Sequence, residues 1–371
     1  MRILLLGDYS NYHACLAVGL RRLGHEVTVA SDGSEWMNTD TTLYLGRPLP
    51  GRAGGALLYL KMLASRQLKG YDVVSIISPS FVQLRPKRLK HIFDRLRKYN
   101  GKIFLSAIGT DKAFMDMITA VDCPLRYSEF HTSPGVFYQK NLKELEENCL
   151  WQRGAIGKLC DYIYEHVDGV TTALYEYHLA MQRIFPQKKL AYVGIPIDLE
   201  SIKPVERELC ADGKVNLFLG RIDYHKEIKG TDRIGDVAEK IAKVYPDRCK
   251  LMIVENLPYK EYLLKLIKGD LILDQLYSFT PATNALLAMA SGQAVLSGAE
   301  PEYYDFIGEK DNHPIINAVP DDDVLYETIK ECVLNPDIVR KAGISGRSFV
   351  EKHNETNVVA QRCVKFWESR L

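Results

Sequence analysis

The sequence predicts an α/β protein built from two Rossmann-like domains, each with a doubly wound parallel sheet. The chain has 371 residues, more than the ~100–200 residues of an ordinary domain. Short apolar runs alternate with amphipathic helical segments, a pattern typical of βαβ units. The alternation stops at a polar stretch and then starts again, so we expect two domains that face each other across a cleft.

The first domain is expected to span residues 1–196. A helix should run from Tyr12 to Leu23, after a turn at Gly7 and Asp8. Buried parallel strands are predicted at the short apolar runs between helical patterns, namely 3–6, 27–30, 73–77, 103–108 and 169–172.

A charged linker with Pro204 and Gly213 should occupy residues 197–213, before a second domain at residues 214–354. Helical patterns there cover 231–244, 259–268 and 285–290, and residues 357–367 carry a final one inside a C-terminal segment, 355–371. Strands are predicted at the apolar runs of this half, namely 215–219, 250–254, 271–273, 294–296 and 315–318.

Composition excludes several classes of protein. Forty-eight basic and 47 acidic side chains give a net charge of +1, so no global charge indicates a nucleic-acid binder. Eight cysteines without a CxxC pair argue against a disulfide scaffold or a zinc site and favour reduced thiols. No apolar run reaches the ~20 residues of a membrane span, and the run at 3–6 is too short for a signal peptide. We therefore expect a protein that is cytoplasmic, or at most bound to the inner membrane surface.

Several catalytic and nucleotide-binding motifs are missing. The first βα turn lacks GxGxxG, and the sequence contains no GxxxxGK[ST], HExxH or GxSxG. Three consecutive acids at 321–323 follow Pro320 and open a helical pattern, where acids favour the positive helix end. We therefore predict no metal site there.

The second half carries residue types suited to a diphosphate. Gly220 and Arg221 end a predicted strand, and Lys229 precedes Gly230 just before a helix. Arginine can contact two phosphate oxygens at once, and lysine adds a mobile charge. Thr283 or Asn284 could cap the next helix, whose free amides would attract phosphate. Each element alone is also explained as ordinary turn or cap chemistry.

Taken in order, these segments resemble a known family. GRIDYHKEIKGTDRI, GDLILDQL and NALLAMASGQAVLSG are similar to the donor half of retaining GT-B glycosyltransferases. In the first half, GLRRLGHEVTVAS and HVDGVTTALYEYHLAMQRIFPQKKLAYVGIPIDLESIKP resemble that family's opening helix and interdomain segment. The resemblance implies a GT-B fold whose C-terminal helix packs back on the first domain.

The resemblance also implies roles for individual residues. Arg221 and Lys229 would bind the donor diphosphate, with Lys226 competing for the lysine role. Aligning 288–290 on the family's A-M-A places Phe279 and Leu287 where the family has two glutamates. Further donor-binding candidates are Gly220, Glu255, Asp274, Thr283 and Asn284.

The first half supplies candidates for catalysis and for the acceptor side. Asp111 follows a strand in a turn similar to the family's H-G-S-D, although an Asx-turn role is equally compatible. Asp8 and Asn11 occupy the first βα loop, where helix capping by Asn11 is the alternative. His131 lies in an irregular segment, and a loop histidine is more often a surface residue.

The segment Arg85–Lys98 carries seven basic residues against one acid, with its apolar residues on one helical face. A solvated outer helix explains it. The alternative is attraction to anionic lipid headgroups at a membrane surface, or to a polyprenyl-diphosphate-like acceptor.

The expected function is transfer of a sugar from a UDP- or GDP-sugar to an acceptor. The acceptor would be a glycan or lipid-linked saccharide in cell-surface polysaccharide synthesis. The resemblance implies retention of configuration, and we expect neither a metal nor another cofactor. Two alternatives stay open: a nucleotide-sugar epimerase of the same fold, and a non-catalytic nucleotide-sugar-binding protein.

Overall fold

The computed structural model describes residues 1–33, 39, 41–206 and 208–371. The chain divides into two compact units. Unit 1 contains residues 1–120, 144–198 and 356–371, and unit 2 contains 121–143 and 199–355. The sequence analysis placed residues 121–143 in the first domain, whereas here they pack within unit 2. Arg207, inside the predicted linker, lies outside the described residues.

The core of unit 1 is a parallel sheet. Among the described residues it has seven strands in the order β3-β2-β1-β4-β5-β8-β9. The register pairs Ile3 with Val27 on one side and with Val73 on the other. Its strands are β1 (Arg2–Leu6), β2 (Glu26–Ser31), β3 (Leu43–Tyr44), β4 (Val73–Ile76), β5 (Lys102–Ala107), β8 (Gly169–Thr172) and β9 (Leu190–Tyr192).

Helices connect these strands, as the alternating pattern predicts. A central strand such as β4 is buried along its whole length, because helices on both faces exclude water from a parallel sheet. The helices of this part are α1 (Tyr12–Arg22), α2 (Gly51–Ala64), α3 (Pro86–Tyr99), α4 (Lys112–Ile118), α5 (Leu142–Asn148), α6 (Gly154–His166) and α7 (Tyr175–Gln182).

The C-terminal helix, α15 (Thr356–Glu368), belongs to unit 1 and packs against α1. The Thr356 hydroxyl donates to the carbonyl of Cys15 at 2.8 Å. Gly19 of α1 lies so close to Thr356 that a Cβ there would meet its carbonyl oxygen at 2.5 Å. The return of the C-terminal helix to the first domain is therefore confirmed.

Unit 2 repeats the architecture on a smaller scale. Its described residues form a parallel sheet in the order β11-β10-β12-β13-β14, with a short antiparallel hairpin apart from it. The hairpin is β6 (His131–Ser133) and β7 (Val136–Phe137), and the sheet is β10 (Val215–Arg221), β11 (Cys249–Glu255), β12 (Leu271–Leu273), β13 (Ala294–Ser297) and β14 (Ile316–Asn317).

The helices of unit 2 cover this sheet and bury its apolar strands. For example, Leu217 and Leu219 of β10 share one core with Ile234 and Ile241. The helices are α8 (Lys226–Lys229), α9 (Thr231–Val244), α10 (Tyr259–Leu266), α11 (Thr283–Ala290), α12 (Pro301–Ile307), α13 (Asp322–Leu334) and α14 (Pro336–His353). The predicted α/β fold class, with two doubly wound parallel sheets, is confirmed.

Candidate functional site

A paired arginine and glutamate lie at the carboxyl ends of β10 and β11. Arg221 stands opposite Glu255 in the register of the two strands, and its Nε donates to Glu255 Oε1 at 2.5 Å. A Cβ on Gly235 of α9 would meet Arg221 Nη1 at 3.1 Å, so the guanidinium also rests against that helix. The arginine is thus held in place, yet 22% of its side chain is exposed.

The two lysines that compete for the diphosphate role differ in their partners. Lys226 forms an ion pair with Asp223 at 2.6 Å, and this partner raises the pKa of Lys226. Lys229 is exposed, and within the described part of the chain it has no ion-pair partner. Gly230 adopts φ +68°, and a Cβ there would meet Leu276 Cβ at 2.6 Å. The Lys-Gly turn is therefore fixed against the loop after β12. Of the two lysines, Lys229 is the one whose charge is available to a diphosphate.

A buried network follows β12. Asp274 is 5% exposed and accepts hydrogen bonds from Asn284 Nδ2 at 2.8 Å and from the Ser297 hydroxyl at 2.9 Å. The Tyr262 hydroxyl donates to Asn284 Oδ1 at 2.6 Å. Burial, followed by the charge of Asp274, raises the pKa of Tyr262, so the phenol remains a donor. The network holds Asn284 in one orientation. Sequence reasoning missed Tyr262 and Ser297 because nothing local links them to Asp274.

The N-terminus of α11 differs from the predicted cap. Thr283 is the first helical residue and Ala282 occupies the cap position, without a side-chain hydrogen bond. Asn284 cannot cap because its amide is engaged by Asp274 and Tyr262. The cap residue Ala282 therefore offers no side-chain acceptor to the first-turn amides of α11. Such a helix end attracts anions through its free N–H groups and its dipole.

These features lie on neighbouring strands of one parallel sheet. Strands β11, β10 and β12 are adjacent, so the residues that follow their carboxyl ends share one edge, where doubly wound sheets bind ligands. Arg221, Lys229 and the N-terminus of α11 bring positive groups to that edge, where Glu255 pairs with Arg221 and Asp274 holds Asn284. The chemistry that this arrangement provides is neutralisation of a phosphate or diphosphate.

Apolar side chains stand at the two positions where the resemblance expects glutamates. Phe279 is 2% exposed, and its ring centroid lies 4.9 Å from that of Tyr127; Leu287 is half-buried on α11. A different acid lies beside the first position. Glu300 donates its backbone N–H to the Phe279 carbonyl at 3.1 Å, and its buried carboxylate accepts from the Tyr127 hydroxyl at 2.5 Å. The sequence analysis missed Glu300, which follows β13 and matches no motif.

A pocket of about 460 Å³ opens elsewhere in unit 2. Its aromatic walls include Tyr138 and Tyr277, with ring centroids 5.2 Å apart. Arg233 lines it too, and the guanidinium Nε donates to Asp322 Oδ1 at 2.8 Å. Apolar walls with a few fixed polar groups are typical of small-molecule pockets. No sequence pattern indicates this pocket, because its residues come from distant segments.

In unit 1, Asp8 is a buried residue of the first βα loop. Its Oδ1 accepts from the His13 backbone N–H at 2.9 Å, and its Oδ2 accepts from the Thr39 hydroxyl at 3.0 Å. Burial raises the pKa of Asp8 to about 6, although both hydrogen bonds oppose this shift. The side chain is enclosed by its own loop, so its first role is to organise the start of α1.

Asn11 occupies the cap position of α1 but its side chain makes no capping hydrogen bond. The capping role considered for Asn11 is therefore performed by Asp8. Ser10 and Asn11 have φ values of 50° and 63°, a left-handed conformation that costs energy for residues other than glycine. Strained backbone of this kind concentrates at functional loops, and this loop lies at the carboxyl edge of the unit 1 sheet.

Asp111 is the N-cap of α4. Its Oδ1 accepts from the Phe114 backbone N–H at 3.1 Å, and it is 2% exposed. Burial raises the pKa of Asp111 to about 6, and hydrogen bonds from Tyr164 and the backbone counteract only part of that shift. The structure thus gives Asp111 the capping role that was the alternative to catalysis.

The raised pKa of Asp111 predicts a stability change with pH. Between about pH 4 and pH 6 the folded state keeps a proton that the unfolded state has released, so stability falls as pH rises through this window. Asp111→Asn keeps the oxygen that caps Phe114 and never ionises. Relative to wild type, we expect this variant to gain about 2–3 kcal/mol between pH 4 and pH 7. Urea unfolding of both proteins at the two pH values measures it, and an equal difference at both would contradict it.

His131 is not a surface residue. It lies in β6 within unit 2, fully buried, and its ring contacts the Ser128 hydroxyl at 3.0 Å and the Leu125 carbonyl at 3.2 Å. Burial lowers the pKa of His131, which favours a neutral ring that braces its own loop. The expectation of an exposed loop histidine is wrong, because residues 121–143 fold onto unit 2.

The basic helix predicted at Arg85–Lys98 is α3, and its apolar residues Leu89, Ile92, Phe93 and Leu96 are buried as expected. Attraction of its charged face to lipid headgroups stays a prediction. None of the helices in the described part of the chain has the length and apolar character needed to cross a bilayer. In the same residues, no cluster of three or more His, Cys, Asp or Glu is placed to hold a metal ion.

Two parallel-sheet units of this order, with a C-terminal helix returned to the first, define the fold class of GT-B glycosyltransferases. Sucrose-phosphate synthase from Thermosynechococcus elongatus is similar in structure, with a TM-score of 0.63 at 13% identity over 99% of this chain and 98% of that chain. HepE of Anabaena, solved with UDP and glucose, has a TM-score of 0.57 at 11% identity over 99% of both chains.

A glycosyltransferase from Rickettsia africae is also similar, with a TM-score of 0.53 at 10% identity over 100% of this chain and 98% of that chain. No protein-family model matches the sequence, and no curated protein matches it. At these low identities the structural similarity establishes the fold and not the activity.

Proposed function

We propose that this protein transfers a sugar from a nucleoside-diphosphate sugar to an acceptor. The observation that carries the proposal is the carboxyl edge of the unit 2 sheet, where Arg221, Lys229 and the N-terminus of α11 follow adjacent strands. In HepE, which shares the fold, the solved complex holds UDP and glucose. A diphosphate is the group that two cations and a helix N-terminus together stabilise best.

The chemistry follows from the charge that develops in the reaction. As the glycosidic bond breaks, negative charge grows on the leaving diphosphate and the sugar becomes oxocarbenium-like. Arg221 and Lys229 would neutralise the diphosphate, and the free amides of α11 would add fixed donors. This route uses no metal, and by the sequence resemblance it would retain the anomeric configuration.

Other residues of this edge take supporting roles in the proposal. Glu255 orients Arg221, and Asp274 positions Asn284 at the start of α11. Gly220 lets the Tyr262 ring lie against the backbone, since a Cβ there would meet the ring at 2.3 Å. In unit 1, the strained loop with Asp8 and Asn11 is proposed to contact the acceptor, a saccharide or lipid-linked saccharide.

A second candidate is a sugar-nucleotide-binding protein without turnover. Its support is Phe279, which fills with a buried aromatic ring a position where the resembling family has a glutamate. Glu300 lies beside that position but is held by Tyr127, Arg126 and Asn317. Binding of the donor is common to both candidates, so it is tested first.

Thermal unfolding with nucleotides tests the donor site. At 100 times Kd, a ligand that binds only the folded state stabilises it by about 2.7 kcal/mol, which corresponds to a Tm increase of about 5–10 °C for a domain of this size. We expect this increase with UDP or GDP and little change with the matching nucleoside, because the diphosphate supplies the charge. Equal shifts with nucleoside and diphosphate, or none with either, would contradict the assignment.

A further inference from the structure

Four arginines line a pocket of about 330 Å³ in unit 1. Arg47 lies between β3 and α2, Arg52 lies in the first turn of α2, and Arg85 and Arg88 lie at the start of α3. Arg47 Nε donates to the carbonyl of Gln83 at 2.7 Å, which joins the two segments. Residues far apart in sequence thus converge on one strongly basic cavity.

No acid neutralises this charge within the described part of the chain, where none of the four guanidinium groups forms an ion pair. Arg88 lies over the Tyr59 ring at 5.3 Å, and Arg52 and Arg85 are exposed. Like charges gathered without counter-ions repel one another, and a polyanion removes that repulsion.

Two helices add to the positive potential. Helices α2 and α3, each of 14 residues, begin at the pocket with Gly51 and Pro86. Neither has an acid in its first turn or a side-chain cap. Since these helices follow β3 and β4 of a parallel sheet, the pocket lies at the carboxyl edge of that sheet, where such folds bind ligands.

Helix α2 carries a second, independent feature. Its buried residues Leu58 and Met62 face the core, yet the opposite face is also apolar. We call this face the apolar stripe; it consists of Ala53, Leu57, Leu60 and Ala64, which recur at helical spacing. Leu57 is 45% exposed and Leu60 58%, and Leu49 just before the helix is 52% exposed. An exposed apolar face beside a basic pocket is typical of a helix that lies in a membrane interface.

We propose that the arginine pocket binds the phosphate or diphosphate group of a lipid-borne ligand, with the apolar stripe of α2 against its hydrocarbon. The pocket supplies charge and fork-shaped donors for phosphate oxygens. The exposed apolar stripe indicates that the phosphate group is carried by a lipid rather than by a soluble ester. The acceptor role of such a ligand rests on the proposed function, whereas its binding does not.

Pyrophosphate binding in solution tests the pocket. Calorimetry is carried out on the full chain in an Arg221→Ala background, which removes the phosphate site proposed in unit 2. We expect Arg52→Gln with Arg85→Gln to weaken binding at least about tenfold. The matched control, Arg97→Gln with Lys98→Gln, removes two charges from the other end of α3 and should change binding less than about twofold. If pyrophosphate does not bind, or if both double variants lose the same affinity for it, the arginine pocket is not the binding site.

Vesicle sedimentation tests the lipid source. Wild type should sediment with vesicles of phosphatidylcholine and phosphatidic acid, and much less with phosphatidylcholine alone. Leu57→Ser with Leu60→Ser, both exposed and so tolerated by the fold, should reduce sedimentation about tenfold or more. The same pair should leave pyrophosphate affinity unchanged. If wild type binds pyrophosphate but not these vesicles, the lipid source is wrong and the ligand is soluble. If the serine pair sediments normally, the apolar stripe takes no part in binding and the proposed contact with hydrocarbon is wrong.

Neither the calorimetry nor the sedimentation assay contains a sugar nucleotide, so their results do not depend on the donor site. Loss of nucleotide binding with intact pyrophosphate and vesicle binding would contradict the proposed function and leave this inference standing. The reverse pattern would contradict this inference and leave the donor site standing.

Discussion

Arg221→Ala should weaken UDP binding about 10- to 150-fold. The arginine is the only candidate at this edge whose fork can contact two diphosphate oxygens at once, and hydrogen bonds to charged groups contribute about 1.5–3 kcal/mol. The same loss should appear in kcat/KM, because charge on the leaving diphosphate increases in the transition state. Calorimetry with UDP and initial rates with a sugar nucleotide measure the two effects.

Two further variants separate charge from geometry. Arg221→Lys keeps the positive charge but loses the planar guanidinium that can contact two oxygens at once. Its affinity for UDP should therefore lie between those of wild type and Arg221→Ala. Glu255→Gln removes the ion pair and leaves the arginine, so it should weaken UDP binding less than Arg221→Ala does. An alanine variant within about threefold of wild type would exclude Arg221 from the diphosphate site.

Trp367→Ala should destabilise unit 1 by about 3–5 kcal/mol, the usual cost of removing a large buried aromatic side chain. Trp367 is fully buried on α15, and its ring centroid lies 6.0 Å from that of Phe104 in β5. The alanine would leave a cavity between the C-terminal helix and the central sheet. Urea unfolding followed by circular dichroism measures the effect without relying on the lost tryptophan fluorescence.

Trp367→Phe is the matched control for this cavity. The indole Nε1 has no hydrogen-bond partner among the described residues, so phenylalanine discards an unsatisfied group and keeps most of the volume. We expect it to cost less than about 1.5 kcal/mol. Lys365→Ala, on the exposed face of the same helix, should stay within about 0.5 kcal/mol. A loss below about 1 kcal/mol in Trp367→Ala would mean that α15 is not part of the core.

The strands and helices were predictable because their signals are local. The run 271–273, Leu-Ile-Leu, coincides with β12, since a strand buried on both faces is usually apolar along its length. The two-residue strand β3 escaped prediction because it carries no periodic pattern, whereas the two-residue strand β14 lies within the predicted run 315–318. The attachment of residues 121–143 to unit 2 depends on contacts such as Arg126 with Glu300, which no local pattern encodes.

The candidate site was predictable only where a motif marks it. Arg221 and Lys229 belong to one segment of the sequence, and both lie at or after the carboxyl end of β10. The roles of single polar residues were harder to foresee, because a cap or a network depends on three-dimensional partners. Thr283 or Asn284 was expected to cap α11, but Thr283 is its first helical residue and Asn284 binds Asp274 and Tyr262. The four arginines around the unit 1 pocket come from two separate segments of the chain, and only folding brings them together.

The fate of the donor tests the central claim most directly. The protein is incubated with UDP-glucose or GDP-mannose and a panel of saccharide and lipid-phosphate acceptors, and all products are analysed by mass spectrometry. Sugar transfer predicts one free nucleoside diphosphate for each glycosylated acceptor, with both products absent in Arg221→Ala. Recovery of an epimerised sugar nucleotide, or of an unchanged one that nevertheless binds, would contradict the account.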